Sequence, residues 1–224
     1  MSFKELFDKG QEKFFDNQWS EAVSLYNDAL KERPNDSDTL MNLGSAYFML
    51  KEYEKCIAVY EEYEITAGEN EDILFTKGMA HYYFKQLEDS INAFNRVMAV
   101  NPLNNKAMFQ IGMSHLEMKD YEKACDCFRA SMHINFMNSG VSNEYDRRTD
   151  VLCLYNLIKA ATKLENWGEV QHKVELACDD FEEPELVLEV IKNINNQEQQ
   201  KKLLEILVKQ EPNYDEANAL LKSF

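Results

Sequence analysis

The sequence predicts an all-α solenoid, in which copies of one two-helix repeat stack on each other. Four of the seven glycines, Gly10, Gly44, Gly78 and Gly112, are spaced 34 residues apart. Apolar residues between them recur with the 3.6-residue period of an amphipathic helix. No segment alternates apolar and polar residues as a half-buried strand does. A chain that repeats one helical hairpin must bury the apolar faces of its copies against one another.

Two further columns keep the same 34-residue step. A small residue follows each glycine by twelve positions, at Ala22, Cys56, Ser90 and Ala124. An aromatic residue follows each glycine by sixteen positions, at Tyr26, Tyr60, Phe94 and Phe128. We expect each glycine to face the small residue, so that the two helices of a repeat approach closely while aromatic rings fill the flanks.

The repeats can be placed in order along the chain, which we predict to be a single solenoid over 1–224 with about 12 to 13 helices. Regular repeats span 3–36, 37–70, 71–104 and 105–138, residues 139–150 are an insert, and 151–180 form a fifth repeat. A degenerate sixth repeat spans 181–214, and 215–224 form a C-terminal capping helix that closes the stack.

The insert, "SGVSNEYDRRTD", has a polar composition that indicates a loop or a helix extension. Arg147 and Arg148 are notable cations in an acidic chain. We expect the insert to contact a partner or to fold over one end of the binding groove; the alternative is a purely structural element.

These columns resemble the tetratricopeptide-repeat family, whose pattern of Leu-Gly, aromatic, Ala, Phe and Pro recurs every 34 residues. The resemblance is clear from residue 3 to residue 138. It implies a right-handed α-solenoid of about five to six repeats plus the capping helix. It also implies a concave groove, lined by the first helix of each repeat, that binds an extended or helical peptide.

In that frame, three columns of the first helices point into the groove, and most of their members are aromatic or Met. A column of polar residues beside them is suited to hydrogen bonding with the backbone of a bound peptide. The candidate groove residues are Phe7, Gln11, Phe14, Met41, Asn42, Phe48, Phe75, Met79, Tyr82, Phe109, Gln110, Met113, Tyr155 and Asn156. The stripe predicts a trough for an apolar or amphipathic segment; the alternative is that it is additional core.

Capture of a C-terminal carboxylate, a well-known mode of this family, is not expected. The family's clamp uses Lys and Asn in one repeat, Asn in the next, and Lys with Arg in the third. The corresponding positions here are Phe7, Gln11, Asn42, Asp72 and Thr76. Only Asn42 matches, and an aspartate replaces one of the cations.

Composition limits the other functions. The net charge is −16 with a pI near 4.7, which argues against nucleic acid and anionic membranes as partners. The start, "MSFKELFDKG", has no apolar signal region, and no run is long enough to span a membrane. Five cysteines, an odd number, favour reduced thiols, and we predict a cytoplasmic protein.

No catalytic or cofactor motif is recognisable, so we predict a non-catalytic protein without a cofactor or metal. His81 and His115 share one column, and Cys125 and Cys127 are two positions apart; helix packing explains both pairs. The predicted function is an adaptor that binds an apolar and, on its other face, basic partner segment. The alternative is an assembly subunit buried along the whole solenoid, and the oligomeric state is left open.

Overall fold

The computed structural model describes residues 1–142, 146–179 and 184–224 and forms two compact units, Met1–Pro102 (unit 1) and Leu103–Phe224 (unit 2). Over the described residues it contains thirteen α-helices and no strand, which confirms the predicted all-α class. Unit 1 holds α1 (Phe3–Phe15), α2 (Trp19–Glu32), α3 (Ser37–Met49), α4 (Tyr53–Ala67), α5 (Glu71–Tyr83) and α6 (Leu87–Val100). Unit 2 holds α7 (Asn105–Glu117), α8 (Tyr121–Ser142), α9 (Arg147–Lys163), α10 (Trp167–Asp179), α11 (Pro184–Lys192), α12 (Gln197–Gln210) and α13 (Asp215–Leu221).

The first helix of each regular repeat begins at a side-chain cap. Ser2, Asp36, Asn70 and Asn104, again 34 residues apart, each accept a hydrogen bond from the backbone N–H three residues on. These caps satisfy donors that a helix start leaves without partners. The second helices α2, α4 and α6 lack such caps, because the preceding turn sets their start instead.

That turn is the same in five repeats and needs a left-handed backbone. In the α3–α4 turn, the N–H of Glu52 donates to the carbonyl of Tyr47 at 2.9 Å, and the intervening Lys51 has φ 61°. This is the Schellman ending of a helix, a position that usually holds glycine. Non-glycine residues take it throughout, at Asn17, Lys51, Lys85, Lys119 and Glu165.

The glycine column contacts the aromatic column as well as the small one, so the sequence-based expectation named one of its two neighbours. A Cβ placed on Gly44 would lie 2.2 Å from Cε1 of Tyr60, and one on Gly78 would lie 2.9 Å from Phe94. The small column is also at the interface, since the Ser90 hydroxyl donates to the Gly78 carbonyl at 2.9 Å. Glycine is needed because a ring from the second helix occupies the space that a Cβ would take.

In the fifth repeat, other residue types stand at both positions of this contact. Ile158 stands where the glycine would be, and it is buried. The residue sixteen positions later is Val174, which is fully buried in the same core cluster. A smaller residue in place of the ring leaves room for the isoleucine side chain.

The predicted insert is largely helical at both ends. Helix α8 continues to Ser142, and α9 begins at Arg147, so the polar composition of the insert indicated a helix extension in these parts. Asn135 fastens the start of α9, because its Nδ2 donates to the carbonyl of Asp146 at 2.9 Å. Residues 143–145, also in the insert, lie outside the described part of the chain.

The C-terminal helix α13 contacts α12 and buries Ala217 completely, while Asp215 and Glu216 on its other face are exposed. One apolar and one polar face is what a capping helix requires.

The single-domain organisation over 1–224 stays a prediction. Within the described ranges, no helix combines the length and apolarity that crossing a bilayer demands.

Candidate functional site

The first helices of successive repeats lie next to one another inside each compact unit. In unit 1, α3 contacts both α1 and α5, and in unit 2, α9 contacts both α7 and α11. Each unit therefore presents a surface made of neighbouring first helices. The candidate groove residues of unit 1 lie on α1, α3 and α5, and those of unit 2 lie on α7 and α9.

Nearly all candidate groove residues are half-buried. Asn156 is the exception, since only 5% of it is exposed. A half-buried aromatic or methionine side chain has one part in the core and another in solvent. These positions therefore contribute to packing and also reach the surface.

The packed part of the stripe rests on the aromatic column. Phe75 meets Phe94 edge-on with ring centroids 5.2 Å apart, and Phe7 lies 6.2 Å from Tyr26 in the first repeat. Phe109 makes the corresponding contact in unit 2, 5.7 Å from Phe128. Pairs of this kind contribute about 0.5–1.5 kcal/mol beyond the area that they bury. The rings of the second helices thus hold the stripe residues in place.

Ser45 and Lys159 each stand one residue after the glycine position of their repeat, and both make contacts that support this arrangement. The Ser45 hydroxyl lies 3.0 Å from the Tyr60 hydroxyl and 3.0 Å from the Met41 carbonyl, so it links the two helices of its repeat. Lys159 is exposed, and its Nζ lies 4.9 Å from the centre of the Tyr155 ring.

Tyr155 is positioned from a neighbouring first helix. Its hydroxyl donates to Oε1 of Glu189 at 3.0 Å. Partial burial raises the pKa of Tyr155, and the hydrogen bond to Glu189 and the negative charge of that residue raise it further. The phenol therefore stays protonated at neutral pH and keeps its hydrogen bond to Glu189.

The polar column is less available for a peptide backbone than the sequence suggested. Asn156 is buried, and its Nδ2 donates to the Leu152 carbonyl at 2.8 Å. Thr76 likewise donates to the Asp72 carbonyl at 2.9 Å. Asn42 and Gln110 are half-buried and remain the better candidates for register contacts.

Carboxylates line the unit 1 surface. Asp8 and Asp72 are exposed and lie close in sequence to Phe7 and Phe75. Asp38 is also exposed, three residues before Met41 and so on the same face of α3. Exposed carboxylates therefore lie near the apolar stripe of unit 1 on all three of its first helices.

The thiols and imidazoles show ordinary packing. Burial raises the pKa of Cys56 and of Cys153 to about 12, and mainly burial raises that of Cys125 to about 11. Nδ1 of His81 lies 2.7 Å from Oε1 of Gln86. No group of three His, Cys, Asp or Glu side chains in the described residues is placed to hold a metal ion.

Two sequence models of the tetratricopeptide repeat match the chain, over residues 7–71 and over residues 106–131. The matched segments fall on helical hairpins whose glycine, aromatic and turn columns are described above. The chain carries tetratricopeptide repeats in these two segments.

Solved structures of helical-repeat proteins share the fold of this chain. MamA from Desulfovibrio magneticus RS-1 is 14% identical with a TM-score of 0.66, covering 87% of this chain and 97% of that one. YrrB, described as a TPR protein with an unusual peptide-binding site, is 16% identical with a TM-score of 0.58, covering 97% and 90%. No curated protein matches in sequence.

Sequence reasoning missed two features of these repeats. One is the lysine column in the left-handed turns, which the sequence contains as a further 34-residue column through Lys51, Lys85 and Lys119. The other is a buried ion pair, in which Lys77 is only 7% exposed and its Nζ lies 3.4 Å from Oε1 of Glu64. Arg96 also contacts Glu64, at 3.2 Å. No sequence motif identifies that network, because its members lie on three different helices and are far apart in the sequence.

Proposed function

We propose that this protein is a non-catalytic adaptor, which binds an apolar or amphipathic segment of a partner protein in a groove along the first helices of its repeats. The observation that carries the proposal is the half-buried stripe of aromatic and Met residues on adjacent first helices. YrrB, a protein of the same fold, has a peptide-binding site. That site supports a peptide as the class of ligand.

The charge of the stripe favours a ligand with a basic face. Asp8, Asp38 and Asp72 are exposed beside the apolar residues of unit 1. Charge complementarity of this kind selects partners and speeds association more than it adds affinity. Each apolar ligand side chain that becomes fully covered contributes about 1.5–3 kcal/mol before ordering costs, so a few suffice for micromolar binding.

A matched pair of variants tests the groove. Met41→Lys with Met79→Lys adds two positive charges inside the stripe of unit 1 without removing a ring that packs against the second helix. Ile65→Lys with Val100→Lys makes the same charge change on the second helices, at side chains that are 86% and 50% exposed. Partners are captured from native extract on wild-type protein, identified by mass spectrometry, and then measured individually.

We expect the groove pair to lose the principal partner while the control pair keeps it, with both retaining wild-type helicity by circular dichroism. Equal binding by wild type and the groove pair would contradict the proposal. Phe75→Lys is a less clean variant, because it also removes the edge contact with Phe94.

A second candidate function is an assembly subunit that buries its second helices in a larger complex. It is favoured by exposed apolar side chains on those helices, above all Ile65 in unit 1 and Phe136, which is 69% exposed, in unit 2. The same experiment separates the two: loss of the partner in the Ile65→Lys, Val100→Lys pair alone supports the assembly function. Under either function we propose a cytoplasmic location, consistent with the unpaired Cys56, Cys125, Cys127 and Cys153.

A further inference from the structure

The aromatic residue of the first repeat, Tyr26, ends in a buried hydroxyl group without a hydrogen-bond partner. Tyr26 is fully buried, and no polar atom of the described residues lies within hydrogen-bonding distance of its hydroxyl oxygen. Burial raises the pKa of this phenol to about 12, so the group is protonated at neutral pH and can donate. Buried polar groups of folded proteins nearly always have a partner. The exception at Tyr26 therefore requires a physical explanation.

The equivalent hydroxyl of the second repeat is bonded by residues of the first helices. The hydroxyl oxygen of Tyr60 lies 3.0 Å from that of Ser45 on α3. Burial raises the pKa of Tyr60, and hydrogen bonds with Ser45 and with Thr76 of α5 oppose that rise. The Tyr60 hydroxyl therefore lies where two neighbouring first helices meet. Ser45 and Thr76 belong to columns that border the proposed groove, so this place is part of the groove wall.

Tyr26 is placed against its glycine in the same way as Tyr60. A Cβ on Gly10 would be nearest to Cε1, Cδ1 and Cζ of Tyr26, at 2.6, 2.8 and 3.2 Å. A Cβ on Gly44 would be nearest to the same three atoms of Tyr60, in the same order. Because the rings have corresponding positions, their hydroxyl groups point to corresponding places between neighbouring first helices.

Two amide side chains stand at that place in the first repeat. Gln11 of α1 and Asn42 of α3 occupy, one 34-residue step earlier, the positions of the two residues that bond the Tyr60 hydroxyl. Both amide residues are half-buried. In the third and fourth repeats the aromatic column holds phenylalanine, which has no hydroxyl. The first repeat therefore combines a phenol donor with two amides where later repeats present an apolar ring.

We propose that Tyr26, Gln11 and Asn42 form a polar subsite of the groove, in which the Tyr26 hydroxyl donates to an amide carbonyl of the bound segment. The inference rests on the proposed function, because it assigns a ligand group to one position of the same groove. It explains the unpaired hydroxyl, since the ligand brings the acceptor. The subsite fixes the register of a segment whose other contacts are apolar and therefore tolerant of sliding.

The chemistry of the three side chains selects a neutral amide. A protonated phenol donates, so the ligand group must accept. A carboxylate would lose its hydration at this depth, and none of the three side chains carries a positive charge to compensate for that loss. Gln11 and Asn42 each offer donors and an acceptor, which complement both ends of an amide. A backbone amide and the side chain of Asn or Gln share this chemistry, and the experiment distinguishes them.

The test uses a displayed library of random peptides, panned on the full-length protein and counter-selected on Gln11→Arg, which fills the subsite with a longer, charged side chain. The dissociation constant of each surviving peptide is measured by fluorescence anisotropy with wild type, Tyr26→Phe and Tyr60→Phe. Tyr60→Phe is the matched control, since it removes the same atom from a ring whose hydroxyl is already bonded within the protein. Urea unfolding of the three free proteins is measured in parallel.

We expect the surviving peptides to bind Tyr26→Phe roughly threefold to tenfold more weakly than wild type, and to bind Tyr60→Phe with wild-type affinity. Free Tyr26→Phe should unfold at the same urea concentration as wild type or at a higher one, because the variant removes an unpaired hydroxyl. Tyr60→Phe should unfold at a lower concentration, because it loses hydrogen bonds. A residue that served packing alone would not lose affinity while keeping stability.

Replacing each Asn or Gln of a surviving peptide with Leu, one at a time, identifies the source of the amide. A side chain is the source if one replacement weakens binding to wild type but not to Tyr26→Phe. A backbone carbonyl is the source if every replaced peptide still binds Tyr26→Phe more weakly than wild type. If the difference disappears on replacing an Asp, Glu or Ser instead, the acceptor is not an amide and the inference is wrong.

Three other outcomes overturn the inference. Equal affinity of the surviving peptides for wild type and Tyr26→Phe would show that the hydroxyl contacts no ligand. A library without survivors would show that the first repeat holds none. A loss of stability in Tyr26→Phe as large as that in Tyr60→Phe would show that the hydroxyl is already bonded within the protein.

The groove pair Met41→Lys, Met79→Lys separates this inference from the proposed function. Peptides that lose affinity for that pair but bind Tyr26→Phe like wild type contradict the subsite and leave the groove intact. Peptides that bind the pair normally contradict the groove itself.

Discussion

Replacing Gly44 with alanine tests the contact on which every regular repeat is built. The added Cβ would lie 2.2 Å from Cε1, 2.6 Å from Cδ1 and 2.7 Å from Cζ of Tyr60. Real carbon atoms do not approach so closely, so the ring must move. Tyr60 is only 1% exposed, and its hydroxyl lies 3.0 Å from that of Ser45, which resists the movement.

Two opposing effects set the magnitude. Alanine is favoured over glycine inside a helix by about 0.5–1 kcal/mol. Overpacking a well-packed core costs about 1–3 kcal/mol. We expect the second to prevail here because the overlap involves three ring atoms, which leaves a net loss of about 1–2 kcal/mol in the free energy of unfolding. That loss corresponds to a melting temperature roughly 2–8 °C lower for a chain of this size.

Gly168 is the matched control, since it is also helical and a Cβ on it would meet nothing within 4 Å. Gly168→Ala should stabilise the protein by about 0.5 kcal/mol through helix propensity alone. Both variants are measured by urea unfolding followed by far-UV circular dichroism. If Gly44→Ala is as stable as Gly168→Ala, the ring does not constrain the glycine and the account of the repeat contact is wrong.

The remaining predictions concern buried groups. Glu64→Gln should lower the free energy of unfolding by about 1–3 kcal/mol, because it leaves the buried Lys77 poorly paired, whereas Lys77→Met should cost less; a larger cost for Lys77→Met in urea unfolding would contradict this. Burial raises the pKa of Cys56 and Cys153 from 9.0 to about 12, so the unfolded chain loses these protons first and stability should fall as pH rises above about 9. Unfolding midpoints that do not change between about pH 8 and about pH 10 would refute it.

The repeat architecture was predictable because equivalent residues recur in the sequence every 34 positions. Helix pairs stack only if equivalent residues recur, so the columns through Gly44 and Tyr60 identify the fold without any structural information. Contacts between columns were harder to assign. Twelve positions and sixteen positions after the glycine both lie on the facing side of the second helix, and sequence spacing alone does not say which side chain covers the glycine. The Ile158 and Val174 exchange in the fifth repeat was a clue to the answer.

The candidate site was predictable as a face, but less so as a set of available side chains. Periodicity places Asn42 and Asn156 in the same column, yet one is half-buried and the other is buried with its amide donating to a carbonyl of its own helix. Position in the repeat alone does not fix the burial of a side chain. The left-handed turns were not predicted because lysine, unlike glycine, does not indicate a backbone with positive φ.

The aromatic column connects the architecture of the repeats to the proposed groove. Each ring of the second helix lies against the glycine backbone on one side, and in three repeats it also contacts a stripe aromatic of the first helix, as Phe94 contacts both Gly78 and Phe75. A side chain added at the glycine therefore displaces the support on which the stripe residue rests. Where the ring is absent, as in the fifth repeat, Tyr155 is held by Glu189 of the next first helix. Rigid presentation of half-buried aromatic side chains lowers the ordering cost of binding, so the same packing that specifies the fold also prepares the surface proposed to bind a partner.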